Sequence, residues 1–189
     1  MTATPRWVVQ HYPTLSSTMD RAGIFARAGA PEGTVVVSDE QTAGRGRSGR
    51  TWHSPPGTSL SATLVLRPDV PPLALATLPL MAGIAVAEAL ESLTGASVHL
   101  KWPNDVWMGS DPERRKLAGI LLTSAISGQQ VNHVLCGVGV NLTVALDQLP
   151  PGGTSVLVAT GRAVSPRDML DALLETFADR YRAYLDAGG

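Results

Sequence analysis

Between Gln41 and Trp52 the chain reads QTAGRGRSGRTW, and positions 44 to 50 hold three Gly and three Arg. Glycine lets a backbone approach a ligand closely, and guanidinium forks grip carboxylate or phosphate oxygens in pairs, so this segment is suited to wrapping an anion. Gly44, Gly46 and Gly49 also satisfy G-x-G-x-x-G. A dinucleotide fingerprint needs a helix directly after it, and Trp52-His53-Ser54-Pro55-Pro56-Gly57 forbids one, so that reading is rejected. No H-R-D or D-F-G follows, as a protein kinase requires, and no G-x-x-x-x-G-K-[ST] phosphate loop occurs.

Of fifteen Lys and Arg only Lys101 and Lys116 are Lys, and both lie within KWPNDVWMGSDPERRKLAGI, residues 101–120. A compact ammonium suits a single developing charge better than a guanidinium fork does. Gly137-Val138-Gly139-Val140-Asn141 closes a β-branched run with two glycines and an amide, which lets a flat ligand lie against backbone and meet a hydrogen-bonding side chain. Each signal alone has a plainer alternative: a solvated Arg-Gly loop, two surface lysines, a strand bulge. His11, His53, His99 and His133 have neither paired spacing nor Cys or carboxylate companions, so no protein-built metal cluster is expected. Ser17 and Ser54 lack a nucleophile elbow, which argues against a covalent serine enzyme.

These groups need a scaffold. Ser17-Thr18-Met19-Asp20 has the S-x-x-D form of a capping box and predicts a helix of about ten residues. Thr34–Val37 and the alternating Ser59–Leu66 predict strands, and Leu78–Leu93 the central helix, closed by Gly95. Val98, Leu100 and Trp102 alternate with His99 and Lys101, placing the two basic residues on one face of a strand. Val106–Met108, Leu117–Leu122 and Val131–Val140 predict antiparallel strands, with a turn at Gly109-Ser110-Asp111-Pro112. Ser165-Pro166-Arg167-Asp168 starts a last helix whose apolar residues recur at helical spacing to Leu185. Strands grouped irregularly between helices indicate an α+β fold, a mixed and largely antiparallel sheet with packed helices.

Fifteen cationic against sixteen anionic side chains, a net charge of −1, exclude a global basic field for nucleic acid or anionic membrane. Residues 1–12 lack the apolar core of a signal peptide, and Cys136 stands alone, so a cytoplasmic protein without intrachain disulfide is expected. Val70–Ala87 carries no charge, but its three prolines and the following Glu88 and Glu91 mark a buried helix entered through a turn rather than a membrane span.

Taken in order, QTAGRGRSGRTWHSPPG, KWPNDVW, RKLAGILL and GVGVNL resemble the catalytic domain of biotin protein ligases, from about Ser17 to near Leu185. The resemblance implies the fold shared with lipoate ligases and class II aminoacyl-tRNA synthetase cores. It implies that biotin and MgATP give biotinyl-5′-AMP and pyrophosphate, after which a lysine of a biotin carboxyl carrier domain attacks the anhydride and releases AMP. By position, Ser17, Thr18 and Gln41 match residues that hold the biotin ureido ring. Gly44, Arg45, Gly46 and Arg47 match the loop that closes over biotin and adenylate, and Gly119 lines the biotin side. Lys116 matches the lysine bridging biotin carboxylate and α-phosphate, so Lys116 and Arg47 are the expected catalytic pair. Arg50, Trp52, Lys101, Asn104, Asp105 and Asn141 match the ATP side, with Mg²⁺ arriving on ATP.

The family usually reads Ser-Thr-Asn where this chain has Ser17-Thr18-Met19. The expectation is one ligase-type catalytic domain over residues 1–189, monomer or homodimer, without an N-terminal helix-turn-helix, a C-terminal SH3-like domain or a DNA partner. Pro150–Thr160 resembles the segment that folds over adenine, and its Pro and Gly content predicts mobility without ligand. A lipoate or octanoate ligase on the same fold, and a non-catalytic biotin-binding module, are the competing readings.

Overall fold

A seven-stranded sheet organises the chain. The computed structural model describes residues 5–189 apart from Ser54 and Asp111, so those two positions, one in the loop after Trp52 and one in the expected 109–112 turn, lie outside the described residues. The elements are β1 (Val8–Leu15), α1 (Thr18–Arg27), β2 (Thr34–Gln41), β3 (Ser59–Leu66), α2 (Leu78–Thr94), β4 (Val98–Lys101), β5 (Asp105–Met108), β6 (Arg115–Ser127), β7 (Gln130–Asn141), α3 (Val156–Thr160) and α4 (Pro166–Asp186). Sheet order is β1-β2-β3-β7-β6-β5-β4. Only β1 and β2 run parallel, joined by α1, and every other neighbour pair is antiparallel. The α+β expectation holds.

Local signals set most element ends. Ser17 caps α1, its Oγ accepting from Met19 N at 3.3 Å. The reciprocal half of the expected capping box is absent, because the Asp20 carboxylate turns to Arg45 at 2.8 Å. Gly95, at φ 70°, ends α2 and donates to Glu91 O at 2.8 Å, a left-handed turn that favours glycine. Ser165 caps α4 by accepting from Asp168 N at 3.0 Å while its hydroxyl donates to the Asp168 carboxylate. β1 was not anticipated: VVQHYPTL has no clean alternation, and Pro13 is tolerable because this is an edge strand, largely exposed. Trp102, expected inside β4, lies beyond its end and is 78% exposed.

The two sheet faces differ. One is covered by α2 and α4, with Phe177, Tyr181, Leu60, Leu64 and Leu90 fully buried. The other is covered only by α1, whose Met19, Ala22 and Ala26 sit on Val36, Val65 and Leu135. Past the start of α1 this second face is uncovered by any helix, and its side chains shrink to Ser59, Ser61 and Thr63 on β3 and Gly137 and Gly139 on β7. Among the described residues, no helix is long and apolar enough to cross a membrane.

Cys136 belongs to the covered face, and burial pushes its thiol up to about 12. Because the thiolate is the reactive form, iodoacetamide is expected to leave Cys136 unlabelled in the native protein and to label it once denaturant is added. Labelling at equal rates in both states contradicts this packing.

Candidate active site

A cavity of about 550 Å³ opens over the uncovered face. Antiparallel register puts Gly139 opposite Gly119 of β6, and Gly137 opposite Leu121, so the floor is mainly backbone. The Trp52 indole lies on it: a Cβ at Gly139 would come 2.5 Å from the ring, and one at Gly119 would come 3.3 Å from it. The Trp52 indole N–H is buried and has no hydrogen-bond partner among the described residues. That donor, over glycine backbone, is placed to meet an acceptor on a ligand.

The Arg-Gly segment folds back on itself. Trp52 N donates to Gly44 O at 2.9 Å and Gly46 N to Arg50 O at 2.7 Å, with Ser48 (φ 56°) and Gly49 (φ 74°) in the tight turn between them. Arg45 reaches Asp20 at the start of α1, while Arg47 donates to Asn104 Oδ1 at 2.7 Å across the cavity. The loop therefore spans the site from α1 to the β4–β5 turn. Asn104 is itself fixed, its Nδ2 donating to Ile120 O at 2.8 Å and its O accepting from Ile120 N.

Lys116 reaches the floor through a bulge. Strict alternation along β6 would group Lys116 with Ala118 and Ile120, which belong to the covered core. The β5–β6 register slips so that Val106 faces Ala118 but Trp107 faces Lys116, leaving Leu117 as the extra residue. Leu117 turns into the core, and Lys116 Nζ lies over Gly119 and pairs with Asp105 at 2.7 Å. Bulges re-aim side chains in this way beside sites of function. Asp105 and Trp107 share the same face of β5, and the Lys101 ammonium rests 3.9 Å from the Trp107 ring centroid.

The segment after Pro150, expected from its composition to be mobile without ligand, makes defined backbone contacts in the structure. Lys116 N donates to Gly152 O at 2.9 Å, Thr154 N to Lys116 O at 2.8 Å, and Asn141 Nδ2 to Thr154 O at 3.0 Å. Thr154, Ser155 and Val156 are buried, and α3 begins there under a Ser155 cap. Backbone pairing thus ties this segment to the edge of the bulge.

Residues 12–141 match the Biotin/lipoate A/B protein ligase family, more than half of the chain. The chain belongs to that family. It is 36% identical over 182 residues to the bifunctional ligase/repressor BirA of Bacillus subtilis, covering 94% of this chain and 55% of that protein. It is 45% identical over 161 residues to the biotin--[acetyl-CoA-carboxylase] ligase of Paracoccus denitrificans, covering 82% and 65%. The biotin protein ligase of Aquifex aeolicus, solved with biotin and ATP, superposes with a TM-score of 0.77 at 28% identity, covering 94% of this chain and 72% of that one. The chain thus spans 55% to 65% of the length of these two sequence relatives.

Most residues expected from the ligase family's pattern converge here: Thr18, Gln41, Arg45, Gly46, Arg47, Arg50, Trp52, Lys101, Asn104, Asp105, Lys116, Gly119 and Asn141 line the cavity. Ser17 and Gly44 do not; Ser17 is 1% exposed as the α1 cap, and Gly44 lies against the Trp52 carbonyl. At the α1 end, Gln41 Oε1 accepts from Thr18 N at 2.8 Å and from Thr18 Oγ1 at 3.1 Å, while Thr63 Oγ1 donates to Thr18 Oγ1 at 2.9 Å. A backbone N–H can only donate, so the amide orientation is fixed and the Gln41 NH₂ is left as donor. Met19 and Trp107 also line the cavity and were missed. Period-two alternation from Asp105 identifies Trp107, and Met19 stands where the ligase family usually has Asn after Ser-Thr. Among the described residues no group of three or more His, Cys, Asp and Glu could hold a metal ion.

Proposed function

We infer that the chain is an ATP-dependent biotin protein ligase, forming biotinyl-5′-AMP and passing biotin to a lysine of a biotin carboxyl carrier domain. The observation that carries the biotin assignment is the fixed Gln41 amide, whose NH₂ calls for a strong acceptor at the ring end of the ligand. The ureido carbonyl of biotin is such an acceptor. The dithiolane of lipoate offers none, which disfavours the lipoate or octanoate reading. The similarity to the Paracoccus denitrificans biotin--[acetyl-CoA-carboxylase] ligase, and the biotin and ATP bound to the Aquifex aeolicus enzyme, support the same choice.

In this reading Lys116 holds the biotin carboxylate beside the α-phosphate and gains interaction energy as negative charge builds on the phosphorus oxygens. It exchanges Asp105 for substrate oxygens when ligand enters. Arg47, positioned by Asn104, and Arg50 supply further charge for departing pyrophosphate. ATP arrives with Mg²⁺; Asp105 is the one carboxylate lining the cavity among the described residues, in keeping with an ion held mainly by phosphates and water. The closed loop shields the anhydride from water. A cytoplasmic setting would supply both ATP and the carrier domain.

The test is mass spectrometry after mixing protein, biotin and MgATP with equimolar lipoate and no acceptor. Biotinyl-5′-AMP is the expected product. A lipoyl adenylate alone overturns the substrate, and biotin binding without any adenylate makes the chain a binding module.

A further inference from the structure

The geometry points to Met19, paired with Gly137, as the residue that sets the size limit at the ring end of the ligand, a reading that rests on the biotin assignment above. Met19 is 7% exposed yet lines the cavity beside Thr18. Its thioether lies against the floor where β7 has no side chain: a Cβ at Gly137 would stand 2.8 Å from Met19 Sδ and 3.3 Å from its Cγ. Leu121, opposite Gly137 in register, continues the same wall. The ring end is thus two-sided, with the Gln41 amide and Thr18 polar, and Met19 with Leu121 apolar.

Two consequences follow from that contact. First, Met19 occupies volume that a bulkier ring would need, and a pocket resolves one added carbon by about ten- to a hundredfold in affinity. Second, positions 19 and 137 are coupled. The Met19 thioether is flexible, so a methyl group added at Gly137 displaces it toward the ligand rather than breaking the strand. Gly137 shows no positive φ, so alanine there is free of backbone strain.

Isothermal titration calorimetry with biotin and with biotin methylated on a ureido nitrogen tests the pair. Wild type is expected to prefer biotin, Met19→Ala to shrink that preference about tenfold or more, and Met19→Leu, of similar volume, to keep it. Gly137→Ala is expected to weaken biotin about tenfold, and Met19→Ala added to it to return affinity to that of Met19→Ala alone. A preference unchanged in Met19→Ala, or additive losses in the double variant, overturns the inference. Thermal melts accompany each titration, since a purely structural role would shift melting without moving the ratio of the two ligands. A wild type that binds no biotin removes the substrate reading and this inference with it; one that binds biotin but forms no adenylate removes only the catalytic reading.

Discussion

Replacing Lys116 by alanine is expected to slow adenylate formation about a hundred- to a thousandfold, the usual loss when one preorganised charge donor to a transition state is deleted. The lysine reaches the cavity floor because the β6 bulge turns it there, and its ammonium lies over the Gly119 backbone. Its partner Asp105 is part-exposed, so losing the ion pair costs only about 1 kcal/mol of folding stability. Activity and stability therefore separate: pyrophosphate release should collapse while the melting temperature moves by a few degrees at most. Lys116→Arg keeps the charge but replaces a point ammonium with a broad fork beside Trp52, and should recover only a small part of the rate. A Lys116→Ala protein releasing pyrophosphate within tenfold of wild type would remove this residue from the chemistry.

The bulge also marks where the sequence stopped being readable. Elements with local signals were legible: Ser17 and Ser165 announce α1 and α4, Gly95 closes α2, and Ser59–Leu66 alternates as β3 does. The site was legible as a set of motifs, and 13 of the 15 expected residues do converge on one cavity. Their arrangement was not. Period-two reasoning puts Lys116 on the core side, and only the register slip against β5, a long-range property, reverses it. β1 is an exposed edge strand containing Pro13, so neither hydrophobic alternation nor composition distinguishes it from a loop. The Gly152–Thr154 pairing with Lys116 is likewise invisible locally, because Pro and Gly content describes the freedom of the isolated segment and not the partners waiting for it. Ser17 shows the limit of motif matching: one hydroxyl fits both a helix cap and a ligand contact, and in this structure it serves the cap.

Gly139→Ala is the second large effect expected. The strand itself accepts alanine, since Gly139 is not at positive φ and lies within a regular β6–β7 register. What the methyl group meets is the Trp52 indole, at 2.5 to 2.8 Å from three ring atoms, well inside any real contact distance. The rigid ring has to lift by about an ångström, and because Trp52 N is bonded to Gly44 O the closure of the Arg-Gly hairpin moves with it. Arg47 then loses its seat on Asn104. Misplacing charged groups by that distance costs about a hundredfold in rate, so adenylate formation should fall by that order while folding is nearly unchanged. Trypsin supplies an independent readout, because Arg45, Arg47 and Arg50 lie in the displaced loop and should be cut faster. Adding Trp52→Ala to Gly139→Ala removes the clash, so the double variant should be no worse than Trp52→Ala alone, the non-additivity that contact between two side chains demands. If the two losses instead multiply, the indole does not rest on Gly139.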